Sequence, residues 1–232
     1  VKAIQATGKP VVVLINAGRP LIFNWTADQV PAILYTWWLG SEAGNAIADV
    51  LFGDYNPSGK LPISFPREEG QIPIYYNHFN TGRPAPNETA TNYVSAYIDL
   101  KNSPKFPFGY GLSYTTFNYS DLQLFKKVMK KNETITVSFT LTNTGKFDGE
   151  EVVQLYLKDQ VGSVVRPVKE LRDFQKVFLK AGASQKITFT IDKEKLAFYN
   201  AKLEWAPEPG AFEVQLGASS ADIRLKDNFE LL

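Results

Sequence analysis

The chain has 232 residues, 25 Lys and Arg against 24 Asp and Glu, no Cys and a single His. That length allows one or two domains but not a complete (β/α)₈ barrel of about 250 residues, and 44% hydrophobic with 21% charged residues describes a globular chain. Disulfide scaffolds, thiolate zinc sites, Cys nucleophiles and multi-His metal sites are excluded, the balanced charge leaves no nucleic-acid footprint, and no apolar run reaches the ~18 residues of a membrane span.

Residues 11–16 are a continuous, β-branched apolar run, ended by Gly18 and Pro20. Such a run predicts a strand buried on both faces, as in a parallel sheet. Residues 32–38 predict a second strand. From Ser41 to Gly53, Ala43, Ala46, Ile47, Val50 and Leu51 recur at helical spacing, with Ser41 suited to the N-cap and Gly53 to the C-cap. Residues 56–59 read as a turn. Residues 61–65 read as a short strand that Pro62 confines to an edge. One clear helix cannot cover both faces of such a sheet. Leaving Val, Leu and Trp side chains bare would forfeit ~1.5–3 kcal/mol each. This α/β zone, residues 1–66, is therefore expected to pack against protein outside the chain.

Eight of the 14 prolines lie between Pro57 and Pro107, and eleven of the 31 aromatics lie between Tyr75 and Tyr119. The zone from 67 to 118 is too long and too aromatic for a flexible linker, so it is expected to wrap over both neighbours. Within it Tyr76, Asn77, His78 and Arg83 stand close together. An aromatic face suits the C–H face of a sugar, and amide, imidazole and guanidinium groups suit its hydroxyls. The same residue types also suit a merely ordered loop.

From 119 to 232 the apolar period changes to two, first at residues 135–142, then at 152–157, 171–179, 185–191 and 212–216. About seven short strands with regular turn signals predict a β-sandwich of immunoglobulin or fibronectin III type. The lack of Cys excludes the disulfide-bearing immunoglobulin variant. Tyr156 and Trp205 are expected in its core.

No carboxylate pair has a spacing that recommends acid/base work. Glu68-Glu69 and Glu150-Glu151 are adjacent, so an extended chain points their side chains apart, as solvated charges. The stretch from Asp54 to Gly59 imitates the start of a calcium loop, but Phe65 occupies the twelfth position, where a bidentate Glu is required. No metal is expected. Glycosylation sequons begin at Asn24, Asn87, Asn118 and Asn132. There is no nucleophile elbow and no phosphate-cradling Gly loop.

Several longer motifs carry a resemblance. Lys9-Pro10-Val11-Val12-Val13-Leu14 with Gly18-Arg19-Pro20 resembles glycoside hydrolase family 3. The run from Trp38 to Gly53, Asn56-Pro57-Ser58-Gly59-Lys60-Leu61-Pro62 and Phe106-Pro107-Phe108-Gly109-Tyr110-Gly111-Leu112-Ser113-Tyr114 continue it. Asn143-Thr144-Gly145, the run from Gly149 to Tyr156 and Arg166-Pro167-Val168-Lys169-Glu170-Leu171 resemble its terminal domain. The resemblance implies α/β plus all-β architecture. Residues 1–66 would be the C-terminal part of an α/β sandwich domain, 67–118 a connecting loop and 119–232 a fibronectin type III-like domain. In that family a barrel carries an Asp nucleophile, and a G-E-G-x-D-R motif carries the acid/base Glu. Neither motif occurs here, so no catalytic residue is expected in this chain. The complete enzyme would be a cofactor-free, retaining β-glucosidase- or β-xylosidase-like hydrolase of terminal O-glycosidic bonds. Its substrate would be a β-linked oligosaccharide or glycoside. This portion would brace the N-terminal barrel and shape the substrate entrance, with Tyr76, Asn77, His78 and Arg83 as outer-subsite contacts. The resemblance is compatible with a homodimer and with a periplasmic or extracellular location. The second reading is a non-catalytic carbohydrate-binding or scaffold module derived from such a tail.

Overall fold

A computed structural model describes residues 1–90 and 92–232. The β-branched run places β1 (Val12–Ile15) after a single helical turn, α1 (Lys2–Gln5). Helix α2 (Asn24–Gln29) leads into β2 (Ala32–Tyr35), which pairs in parallel with β1, Val12 opposite Ala32 and Ile15 opposite Tyr35. The sequence pattern predicted neither short helix. Strand β2 stops short of residue 38 because Trp37 takes a left-handed φ of 54°, which a ladder cannot continue. Helix α3 (Ala43–Phe52) ends at Gly53 in the left-handed region, as expected, but its N-cap is Glu42 rather than Ser41. The strand expected at 61–65 is only a bridge between Phe65 and Phe106. Pro62 has no N–H to give, and the segment bonds across mainly at Leu61 and Phe65. The parallel pair is also not covered on both faces within this chain. Val12 and Leu14 are exposed, as are Trp38 and Phe52 at 80% and 84%.

After a 3₁₀ turn at Glu69–Gln71 the described chain is irregular until β3 (Phe117–Leu124). Then come β4 (Val128–Met129), β5 (Ile135–Asn143), β6 (Gly149–Asp159), β7 (Glu170–Leu179) and β8 (Ser184–Ile191). A short helix, α4 (Lys193–Leu196), precedes the hairpin of β9 (Phe198–Tyr199) and β10 (Trp205–Ala206). Strands β11 (Gly210–Gly217) and β12 (Ile223–Leu231) finish the fold. The sheets run β4-β12-β11-β6-β7 and β3-β5-β8. The period of two turns Ile135, Val137, Phe139 and Leu141 inward, into one buried cluster with Val153, Leu155, Val214 and Leu216. Every residue of that cluster lies between Phe117 and Leu231. Tyr156 is fully buried as expected. Trp205 is not a core residue but half-exposed, because β10 belongs to the separate hairpin and not to either large sheet.

The α/β zone is clasped to the sandwich by polar groups. Lys60 Nζ pairs with Glu151 at 2.9 Å and donates to the Gly111 carbonyl at 3.0 Å. Asn56 accepts from Ser113 Oγ and Tyr114 N and donates to the Asp148 carbonyl. The hydroxyls of Tyr55 and Ser58 donate to Glu150, which also pairs with Lys176 at 2.6 Å. Glu150 and Glu151 are therefore not solvated charges, as their adjacency suggested. They leave β6 on different sides and hold the turn at 54–60. The calcium-like residues Asn56 and Ser58 are engaged by protein partners in that same turn. A Cβ on Gly111 would lie 2.1 Å from the Gly59 carbonyl oxygen, so the two backbones meet only because residue 111 has no side chain.

Candidate functional site

The loop carrying the sugar-type residues is seated on the sandwich by Tyr76. Its ring stacks on Phe108 with centroids 4.3 Å apart and meets Tyr156 edge-on at 5.8 Å. Its hydroxyl accepts from the Leu171 backbone N–H at 3.1 Å. The floor beneath it is also fixed. Tyr156 donates to Gln154 Oε1 at 2.5 Å, and Gln154 Nε2 donates to the carbonyls of Gly109 and Ala218 at 3.1 and 2.8 Å. Burial pushes the Tyr156 phenol well above its ordinary pKa, so it stays a neutral donor.

The next residues lie on the segment between β6 and β7. The His78 carbonyl accepts from Val168 N–H at 2.9 Å, and Phe79 bridges Pro167. The His78 ring is exposed, with Nδ1 3.1 Å from the Phe79 carbonyl oxygen. Asn77 is also exposed. Arg83 is exposed on a further turn, where its carbonyl accepts from Ser95 N–H at 2.7 Å. Asn77 and His78 thus share a rim beside the sandwich, Arg83 sits beyond it, and the Tyr76 ring points inward as the anchor.

Sequence reasoning missed what lies beside the rim. Asn80 lines a cleft of about 390 Å³ with residues 158–168. Arg166 shapes this cleft. Its guanidinium lies 3.8 Å from the Phe198 ring centroid and donates to Asp159 at 3.2 Å and Glu170 at 2.8 Å. Burial raises the Asp159 carboxyl pKa, with Arg166 opposing it. The signal was the Arg166-Pro167-Val168-Lys169-Glu170-Leu171 motif, which sequence alone could not link to a loop some 90 residues earlier. A larger groove of about 540 Å³ runs along the clasp, but its Tyr55, Ser58 and Lys176 groups converge on Glu150. Asn77 and His78 on the rim, and Arg83 beyond it, present amide, imidazole and guanidinium groups of the kind that hydrogen-bond to the hydroxyls of a neutral polyol. The carboxylates of Asp159 and Glu170 are held by Arg166. Among the described residues no three His, Cys, Asp or Glu side chains gather into a metal cluster.

Comparison with known proteins gives a consistent family. Residues 1–114 match the model of the glycosyl hydrolase family 3 C-terminal domain, and residues 151–220 match a fibronectin type III-like domain. The chain is 52% identical over its whole length to a periplasmic beta-glucosidase of Salmonella typhimurium, and 44% identical over 97% of its length to a beta-xylosidase of Formosa agariphila. It spans about 30% of the length of each. Among solved structures, it is 44% identical to a beta-glucosidase of Listeria innocua, covering 99% of this chain and 32% of that one. The TM-score is 0.94 against its complex with glucose and 0.92 against a mutant's complex with laminaribiose.

Proposed function

The chain belongs to glycoside hydrolase family 3, and from that premise we propose that it works as the C-terminal portion of a retaining, exo-acting β-glucosidase-like enzyme. In this reading a carboxylate of the barrel domain displaces the aglycone, a covalent glycosyl intermediate forms, and water releases the sugar. Both catalytic carboxylates lie outside this chain. The substrate is a terminal β-linked glucoside. The relatives that carry beta-glucosidase names support this choice over a xyloside, and the periplasmic relative supports an exported enzyme.

The single observation that carries the reading is the seating of Tyr76 on Phe108, with the His78 backbone paired to Val168. This places Asn77 and His78 on a rigid rim instead of a free loop. A rim of polar groups recognises the hydroxyls of an aglycone sugar but does no chemistry. Tyr76 is a positioning residue, and Asn77, His78 and Arg83 are the contacts. The fibronectin III-like domain therefore shapes the substrate entrance while the clasp at 54–60 braces it against the α/β portion.

The test uses the whole enzyme. His78→Ala should raise KM for a β-linked glucose disaccharide about fivefold, as expected for one lost hydrogen bond, and leave kcat on an aryl β-glucoside unchanged. Unchanged KM on the disaccharide would remove the rim from the substrate path. The 232-residue chain alone should not hydrolyse aryl β-glucosides. Turnover lost on changing one of its own carboxylates would overturn the assignment of chemistry to the barrel.

A further inference from the structure

The hairpin of β9 and β10 shows a surface that the reading above does not use. Tyr199 and Trp205 are cross-strand partners, so their side chains leave the same face. Their ring centroids lie 5.1 Å apart at an angle of 60°, and the residues are 65% and 50% exposed. Leu203 at the turn is 82% exposed. Three large apolar side chains within seven residues make a patch, not scattered surface residues.

The patch is built rigidly. Phe198, next to Tyr199, is buried beneath the Arg166 guanidinium. The turn is closed by Asn200, whose side chain accepts from the N–H groups of Lys202 and Glu204 at 2.9 and 3.1 Å. That closure holds Leu203 at a φ of 62°, a region non-glycine residues rarely occupy without being forced. Trp205 Nε1 donates to Glu194 at 3.3 Å, which fixes the indole plane.

We propose that this hairpin is a saccharide-binding platform of the fibronectin III-like domain, taking a soluble β-linked glucan chain. An aromatic face that is exposed but held still suits the C–H face of a pyranose and loses little entropy on binding. The rings meet edge to face at 60°, so they offer no coplanar surface of the kind a flat crystalline array needs. At the edge of the patch stand the carboxylates of Glu194 and Glu204, which bond Trp205 Nε1 and Asn200 Nδ2 through one oxygen and can accept from a sugar hydroxyl through the other. Lys202 is the one cation between residues 198 and 208, against Glu204 and Glu208, so the patch lacks the positive charge an acidic glycan or nucleic acid requires. The platform is also continuous with the rim. Ser163 donates to Glu208 and accepts from Ala201 N–H of the hairpin, and Ser163 lines the same cleft as Asn80. A glucan held at the hairpin would run through that cleft toward Asn77 and His78. The choice of a glucan rests on the proposed β-glucosidase reading, but the binding test needs no catalysis.

The test is affinity electrophoresis of the 232-residue chain through gels containing soluble β-1,3-glucan or mixed-linkage β-glucan. The wild-type chain should be retarded by at least one of them. Trp205→Ala and Tyr199→Ala should each weaken retardation about fivefold to tenfold, the loss of one ring face. Phe147→Ala, an exposed ring outside the hairpin and the rim, should leave it unchanged, and because the assay reads binding without catalysis its failure is distinct from failure of the substrate rim. Far-UV circular dichroism should be unaltered in all three variants, because these side chains lie outside the buried core. The proposal is overturned by the absence of retardation in both gels, by retardation that survives both aromatic substitutions, or by retardation that falls as much in Phe147→Ala as in the hairpin variants. It is also overturned if Trp205→Ala lowers the melting temperature of the whole enzyme by several degrees without affecting glucan binding, since the patch would then be a protein contact.

Discussion

The Lys60–Glu151 pair offers the sharpest test of how the two parts of the chain are joined. The charges are 2.9 Å apart, and the side chains are only 13% and 7% exposed. At an effective dielectric of about 20 their attraction is roughly 6 kcal/mol, and the desolvation of each ion offsets several kcal/mol of it. The net worth of the pair is therefore small, while the penalty for halving it is large. Lys60→Met leaves Glu151 buried without its cation and the Gly111 carbonyl without its donor, and should destabilise the clasp by about 3–5 kcal/mol. The double variant Lys60→Met/Glu151→Leu should recover most of that loss, to within about 1 kcal/mol of wild type. Two optical signals separate the parts. Three of the four Trp residues, Trp25, Trp37 and Trp38, lie in the α/β zone, whereas the long strands belong to the sandwich. Urea titration of Lys60→Met should move the tryptophan fluorescence midpoint below the far-UV dichroism midpoint, and the double variant should bring them together again. A Lys60→Met cost under about 1 kcal/mol, or a double variant as unstable as the sum of its singles, would refute the buried-pair reasoning.

The remaining predictions concern the same seam and the loop above it. Gly111→Ala puts a methyl group 2.1 Å from the Gly59 carbonyl oxygen, where neither backbone can step aside, and should cost about 3 kcal/mol or more in urea unfolding. Gly82→Ala, with open space around its Cβ, should stay within about 0.5 kcal/mol of wild type. Chiefly the Lys176 hydrogen bond holds the Glu150 carboxyl below its ordinary pKa. Its folded pKa thus lies below the unfolded one, so its stabilisation is present above the unfolded value and is lost as pH falls through the folded value. Glu150→Gln should therefore flatten the fall in melting temperature between about pH 5 and pH 3, and an unchanged slope would refute it. Tyr76→Phe removes the bond to Leu171 N–H and should cost about 1 kcal/mol, whereas Tyr76→Ala also loses the stack on Phe108 and should cost about 2–3 kcal/mol. In the whole enzyme Tyr76→Ala should raise KM for the disaccharide as His78→Ala does.

What could be read in advance follows the range of the forces involved. The period-two alternation of 135–142 is local, and it placed the inward residues of β5 correctly. The Gly53 C-cap is equally local. The position of Trp205 is not legible in the sequence because its burial depends on which strand pairs with β10, and that partner is β9 rather than a sheet of the sandwich. The adjacency of Glu150 and Glu151 suggests solvated charges because their cations, Lys176 and Lys60, are 26 and 91 residues away. The Tyr76–Arg83 stretch showed its chemistry by residue type alone. Its split into an inward anchor and an outward rim depends on Phe108, Tyr156 and Leu171, none of which is adjacent in sequence.

That split bears on what the sandwich is for. If its only role were to hang from the α/β portion, Glu150 and Glu151 of β6 would suffice. Instead, Glu151 of β6 grips Lys60, while Gln154 and Tyr156 of the same strand support Gly109 and Tyr76. Neighbouring residues of one rigid strand thus hold both the brace and the loop that carries the rim. A shift of the sandwich against the α/β portion must carry Asn77 and His78 with it, because Tyr76 and the Val168–His78 bond tie the loop to the sandwich. Substitutions at the clasp, far along the chain from the rim, should therefore change aglycone preference as well as stability. Substitutions in the three-stranded sheet β3-β5-β8 should change stability alone.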